Sequence, residues 1–175
     1  AQSRLAQLPN EADHQTIISA YRSVLDVLET NRAPSAVCFE ALSTLFERIF
    51  PDGWALETFL ALAQVTGRYS ECVQVLRETL SRYPGEDDLD IHFGLSKVLS
   101  QALGRHEEAM ASLRIVLSKK PNHQQGVSDF TTLLRQFGEA EEERAVLSSA
   151  IEVEDDSGLK AAWWRQIAEL EGVQS

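Results

Sequence analysis

Two stretches of the chain are near copies. GRYSECVQVLRETLSRYP, Gly67 to Pro84, and GRHEEAMASLRIVLSKKP, Gly104 to Pro121, agree at eight of eighteen positions with no gap. Each opens on Gly-Arg, carries apolar residues at helical spacing, and closes on a Pro seventeen residues after its Gly. Self-similarity with a period of 34 to 37 residues marks an array of helical hairpins, because one hairpin alone cannot bury its apolar face and must stack on a neighbour. Such an array presents a surface. The pattern therefore points to a binding module before an enzyme.

Length and charge narrow the choice. At 175 residues the chain is long enough for a real core, and 43% hydrophobic with 25% charged residues is ordinary for a globular fold. No apolar run approaches the roughly 18 residues that span a bilayer, and AQSRLAQLPNEADHQ lacks the basic start and apolar stretch of a secretory signal. The chain begins without Met, consistent with a fragment of something longer. A formal net charge of −11 argues against direct binding to nucleic acid or an anionic membrane. The acidic runs GEDDLD (85–90), EAEEER (139–144) and EVEDD (152–156) read as solvated loops and helix starts, with a docking site for a basic partner as the alternative. Cys38 and Cys72, 34 residues apart, are expected to be buried, reduced and equivalent in adjacent repeats. Their number suits a reducing, cytoplasmic setting.

The periodicity lays out the hairpins. Residues 54–65 (WALETFLALAQV) are apolar on nearly every turn, and Gly67 is placed to supply a positive φ at the end of that helix. Cys72, Val73, Val75, Leu76, Thr79 and Leu80 stripe the next helix, which Tyr83-Pro84 ends. The following unit starts from Asp87 or Asp88 as N-cap, with helices over 89–103 and 105–119, the second facing Ala109, Leu113, Val116 and Leu117 inward. A third opens at Asn122, whose spacing to Gln125 suits a capping box, with helices over 123–137 and 139–153. Ala145, Val146, Leu147, Ala150 and Ile151 are expected to face its core. Ser157 is expected to cap a last helix over 159–170. Upstream, residues 15–30 are strongly amphipathic, and Pro34 begins a helix through Ile49. The organisation is a single array: a degenerate hairpin (1–52), repeats over 53–86, 87–121 and 122–156, and a capping helix (157–172).

The Gly-x-Tyr-x-x-small, aliphatic and Pro positions resemble the tetratricopeptide repeat. Gly67, Tyr69, Cys72, Leu76 and Pro84 stand at its marker places; Gly104, Ala109, Leu113 and Pro121 do so in the next unit, with His106 in place of the Tyr. Gly138, Leu147 and Ala150 match in the third, while Glu143 departs from the small position. The resemblance implies an all-α fold, an α-solenoid of about four antiparallel hairpins in a right-handed superhelix with a C-terminal capping helix. It also implies a concave groove lined by first helices. Carried over, that groove comprises Trp54, Glu57, Ala61 and Gln64; Ile91, Gly94, Val98 and Gln101; and Gln125, Ser128, Thr132 and Arg135. The second set belongs to a longer repeat, and a one-residue slip presents Phe93, Lys97 and Ser100 instead. The basic residues with which some of these repeats clamp a chaperone's C-terminal carboxylates are missing: Glu57, Ala61, Gly94, Val98, Ser128 and Thr132 stand there. WWRQIAELEG (163–172) and residues 46–67 are similar to half-a-TPR (HAT) repeats, which would imply an RNA-processing scaffold.

Nothing in the sequence builds a catalytic site. The four histidines, His14, His92, His106 and His123, share no metal-ligand spacing with Cys or carboxylates, the glycines sit singly rather than in a phosphate loop, and no nucleophile has a base beside it. No cofactor and no metal are expected. Trp163 and Trp164 are adjacent on the last helix and diverge by about 100°. One suffices to cap the array; the other signals an extra contact, with a partner, a further repeat or a second copy in a homodimer. The expected function is a non-catalytic scaffold or adaptor that receives a peptide or helix. A regulatory or targeting domain of a larger enzyme or secretion protein is the alternative.

Overall fold

A computed structural model of the chain describes residues 14–84 and 86–173. The first 13 positions of the expected N-terminal segment, and Gly85 within the first acidic run, lie outside the described residues. All regular structure among the described residues is helical: α1 (His14–Thr30), α2 (Ser35–Arg48), α3 (Gly53–Thr66), α4 (Tyr69–Arg82), α5 (Leu89–Lys97) running on into a π-helical turn (Val98–Ala102), α6 (His106–Lys119), α7 (Gln124–Phe137), α8 (Ala140–Val153) and α9 (Ser157–Val173). Short connections make consecutive helices antiparallel hairpin partners. The chain forms two compact units, one up to Gly94 and one from Leu95.

In the first unit α2 packs on α1, α3 and α4. Phe39 stacks on Phe59 at a ring separation of 4.6 Å and Phe46 tilts against the same ring at 4.7 Å, and Tyr21, Leu42, Leu45 and Leu76 of the same unit are fully buried. Rings at these offsets add to the stability of the area they bury. Cys72 is fully buried, and burial pushes its thiol up to about 12. Cys38 is buried too, and both are free. Asp52 caps α3 by accepting the Ala55 N–H at 2.8 Å. Gly67 ends α3 at φ +70°, as its place in the repeat predicts. Gly94 on α5 is tight for another reason: a Cβ there would lie 3.0 Å from Leu60 Cδ1.

The second unit stacks α6, α7, α8 and α9 in chain order. Its core includes Leu113, Val116, Phe130, Leu134, Leu147, Ala150, Trp163 and Ile167. Ala145, expected in the core, is exposed: it sits on the outer face of α8, where the stripe runs through Glu143, Leu147 and Ala150 instead. Two caps also differ from expectation. His123, not Asn122, caps α7, its Nδ1 accepting the Gly126 N–H at 2.9 Å, while Asn122 reaches Glu154 at 3.3 Å. Asp156, not Ser157, caps α9, its Oδ1 accepting from the N–H groups of Gly158 (2.7 Å) and Leu159 (2.9 Å). A carboxylate reaching two free N–H groups at a positive helix end outcompetes a hydroxyl.

The shared residues of the two near copies now have a physical account. Arg68 and Glu71 pair across the first turn of α4, and Arg105 and Glu108 do the same at α6, at 2.5 and 2.7 Å. The third unit has no Arg after its Gly, and its Glu142, at the matching position, is held by Arg114 of α6 at 2.6 and 2.7 Å. The extra length of the 87–121 repeat also resolves. Of the three residues by which the Gly67–Gly104 spacing exceeds that of Gly104–Gly138, two lie before α5: four positions separate Pro84 from Leu89, but two separate Pro121 from Gln124. The third widens the end of the helix, where Leu103 N–H donates to Val98 O at 3.2 Å and closes an i→i+5 turn.

Candidate functional site

The residues that the resemblance assigns to first-helix faces fall on α3 and α5 in the first unit and on the π-turn and α7 in the second. On α3, Glu57, Ala61 and Gln64 are exposed at spacings of four and three, one face of a helix. Trp54 is half-buried under Arg22, whose guanidinium lies 4.5 Å from the ring centroid and pairs with Asp52 at 3.0 Å. That cation covers one face of the indole, so Trp54 offers less free surface than its position suggests.

Ile91 and Val98 do not line any groove with their side chains. They are 1% and 8% exposed, respectively, and Gly94 is buried against Leu60. The residue inserted by the π-turn explains the shift: it rotates the helix end, and the half-exposed Phe93, Lys97 and Ser100 are the more open set. Gln101, beyond the insertion, is exposed as expected.

The second unit brings its assigned residues together. Ser128, Thr132 and Arg135 form an exposed row along α7, and two concavities flank it. The first, about 210 Å³, is lined by Ser100 and Gln101 of the π-turn, His106 of α6, and Asp129, Thr132, Leu133 and Gln136 of α7. The second, about 240 Å³, lies between α7 and α9 and includes Gln124, Ser128, Thr131, Thr132, Arg135, Trp163 and Gln166. Thr132 borders both. Gln125 is exposed and donates to Asp129 Oδ1 at 2.8 Å. Trp163 is buried and closes the unit as a capping residue should; Trp164 is 56% exposed and lines neither concavity.

Arg135 is the most constrained of these groups. Its Nε donates to Glu143 Oε1 at 2.6 Å and its Nη2 to Gln166 Oε1 at 3.0 Å. Glu143 is fully buried, and its Oε2 has no hydrogen-bond partner among the described residues. The carboxylate that displaces the expected small residue is thus tolerated because Arg135 reaches in from the rim. The same pairing fixes the guanidinium and cancels its charge. In the first concavity, His106 Nδ1 and Asp129 Oδ2 are buried and find no hydrogen-bond partner among the described residues. The imidazole leans on Phe137 with ring centres 5.7 Å apart, consistent with its role as the turn aromatic of its repeat. Sequence reasoning missed Asp129, Gln136 and Gln166 as lining residues. Asp129 could have been found from its place one turn after Gln125 and one before Thr132; Gln166 could not, since its neighbour Arg135 is 31 residues away.

Among the described residues no cluster of three or more His, Cys, Asp or Glu could hold a metal ion, and no described helix is long and apolar enough to cross a membrane. What the second unit offers is a polar, hydrogen-bonding surface with apolar floors.

No family model matches the chain, and no curated protein matches it in sequence. Its fold is shared with solved structures of MamA. The MamA RS-1 ArsTM double mutant superposes with a TM-score of 0.56 at 14% identity, over 90% of this chain and 96% of that one. MamA 41-end from Desulfovibrio magneticus RS-1 gives 0.55 at 16% identity over the same shares, and a further crystal structure of MamA gives 0.54 at 15%, over 78% and 85%. At these identities the likeness is one of fold. The chain is an all-α helical-repeat protein.

Proposed function

We propose that the chain is a non-catalytic scaffold or adaptor whose second unit receives an extended peptide or a helix along α7. The observation that carries this reading is the row Ser128, Thr132 and Arg135 with a concavity on each side, lined by hydroxyl, amide and guanidinium groups able to bond a backbone. Leu133 and Trp163, both largely buried, floor the two concavities and offer an apolar base to side chains of the occupant. The exposed face of α3, with Glu57, Ala61 and Gln64, extends the binding capacity of the chain, and Trp164 supplies a further contact, a homodimer among the options. A cytoplasmic setting and a tetratricopeptide-type ancestry complete the reading.

Thr132→Trp tests it. The position is exposed and borders both concavities, so a large side chain blocks both without entering the core. Immobilised wild-type chain should capture a partner that the variant loses, with helicity by circular dichroism and melting temperature unchanged. Capture that survives the substitution places binding elsewhere.

A further inference from the structure

The first concavity carries a chemical preference that its shape alone does not require. Among the described residues Asp129 is the one carboxylate that lines it, and no Lys or Arg does. Asp129 Oδ1 accepts from Gln125 at 2.8 Å, but Oδ2 is buried and has no donor among the described residues. Desolvation of a carboxylate oxygen without a hydrogen bond is unfavourable, so the site gains whatever a donor from outside restores. His106 Nδ1, lining the same concavity, is also buried without a partner among the described residues. Arg135, the nearest cation along the row of α7, is already matched by Glu143.

Building on the peptide-groove reading of the second unit, we propose that this concavity receives a basic side chain, lysine or arginine, of an extended partner segment, with Asp129 as its counter-ion. Asp129 is half-buried and lines the concavity, so a cation that enters comes up against its carboxylate. An ammonium or guanidinium brings three or five donors. Asp129 takes one, and the oxygens of Ser100, Gln101, Thr132 and Gln136 are placed around the rest. Leu133 lies where the methylene stem of such a side chain would run. An acidic side chain would meet the Asp129 charge, and a neutral amide would forgo the ion pair. At long range the chain's net charge of −11 draws cationic segments toward it.

The test uses four pools of acetylated, amidated octapeptides, identical except for a fixed central Arg, Lys, Gln or Glu in a neutral random background. Each is titrated into the full ¹⁵N-labelled chain, with the amide signals of Ser100, Gln101, Thr132 and Gln136 as readout. The Arg and Lys pools should shift these signals at about tenfold lower concentration than the Gln pool, and the Glu pool should be weakest. Asp129→Asn should erase the preference for basic residues while leaving Gln-pool binding intact. Asp155→Asn, which removes the same charge outside the concavity, should leave the preference in place. Equal binding of the Arg and Gln pools at these amides overturns the basic subsite and leaves the groove standing. Absence of shifts with every pool overturns both. A preference that survives Asp129→Asn overturns the assignment of Asp129.

Discussion

Cys72 in the first unit and Glu143 in the second occupy the same place in their repeats, five residues after the turn glycine, and both are fully buried. The first unit meets that constraint with a small apolar thiol, fully buried in a unit whose core also holds Phe39, Phe46 and Phe59. The second meets it with a carboxylate and an arginine that reaches in from the exposed face. The helix geometry is the same; the chemistry is opposite. A close seam in a helical repeat therefore demands a filled and electrically satisfied space, and small size is only the commonest way to supply it.

That contrast can be broken most severely at Cys72. Cys72→Arg places a long cation where no partner stands, and should lower unfolding stability by about 4 kcal/mol, read from denaturant midpoints. Removing the cation that supports Glu143 comes next. Arg135→Ala leaves a buried carboxylate unpaired and should cost about 3 kcal/mol, whereas Arg135→Ala with Glu143→Ala should recover most of it, because the seam then matches Ala109 of the preceding repeat. If the double variant is no more stable than Arg135→Ala, the ion pair was not what made Glu143 tolerable.

Alkaline titration sharpens the same comparison. The folded Cys72 thiol is raised from 9.0 to about 12, so the folded chain stays protonated where the unfolded chain ionises. Stability from this group is complete below pH 9.0 and falls as pH rises toward about 12. At pH 11 the wild-type chain should have lost about 3 kcal/mol relative to Cys72→Ala, a slope confined to the first unit's seam. Equal slopes for the two proteins would mean that Cys72 is less buried than the packing indicates.

The smallest effect is expected at the surface. Arg114 and Glu142 stand in for the Arg-Glu pair of the earlier repeats, but both are partly exposed. The Arg114 guanidinium holds the Glu142 carboxyl below its usual range, so the pair contributes above the ordinary carboxylate pKa and fades as pH falls below it. Arg114→Ala should cost under about 1 kcal/mol at neutral pH and less at high salt, by thermal unfolding. A larger, salt-insensitive loss would point instead to its contact over the Phe130 ring, 5.5 Å away.

Much of the fold was legible along the chain. The positive-φ glycines Gly67, Gly104 and Gly138, the stop at Tyr83-Pro84 and the apolar stripes depend on residues within a few positions of each other, and local sterics settle them. The face that Ser128, Thr132 and Arg135 share follows from helical period alone. The rest was decided by neighbours distant in sequence. Burial of Ile91 and Val98 depends on the π-turn and on what packs around α5; the fixed guanidinium of Arg135 depends on Glu143 and on Gln166 in α9; the two unpaired atoms in one concavity depend on α6 and α7 coming together. Periodicity records which way a side chain points on its own helix. Only packing determines what it meets there.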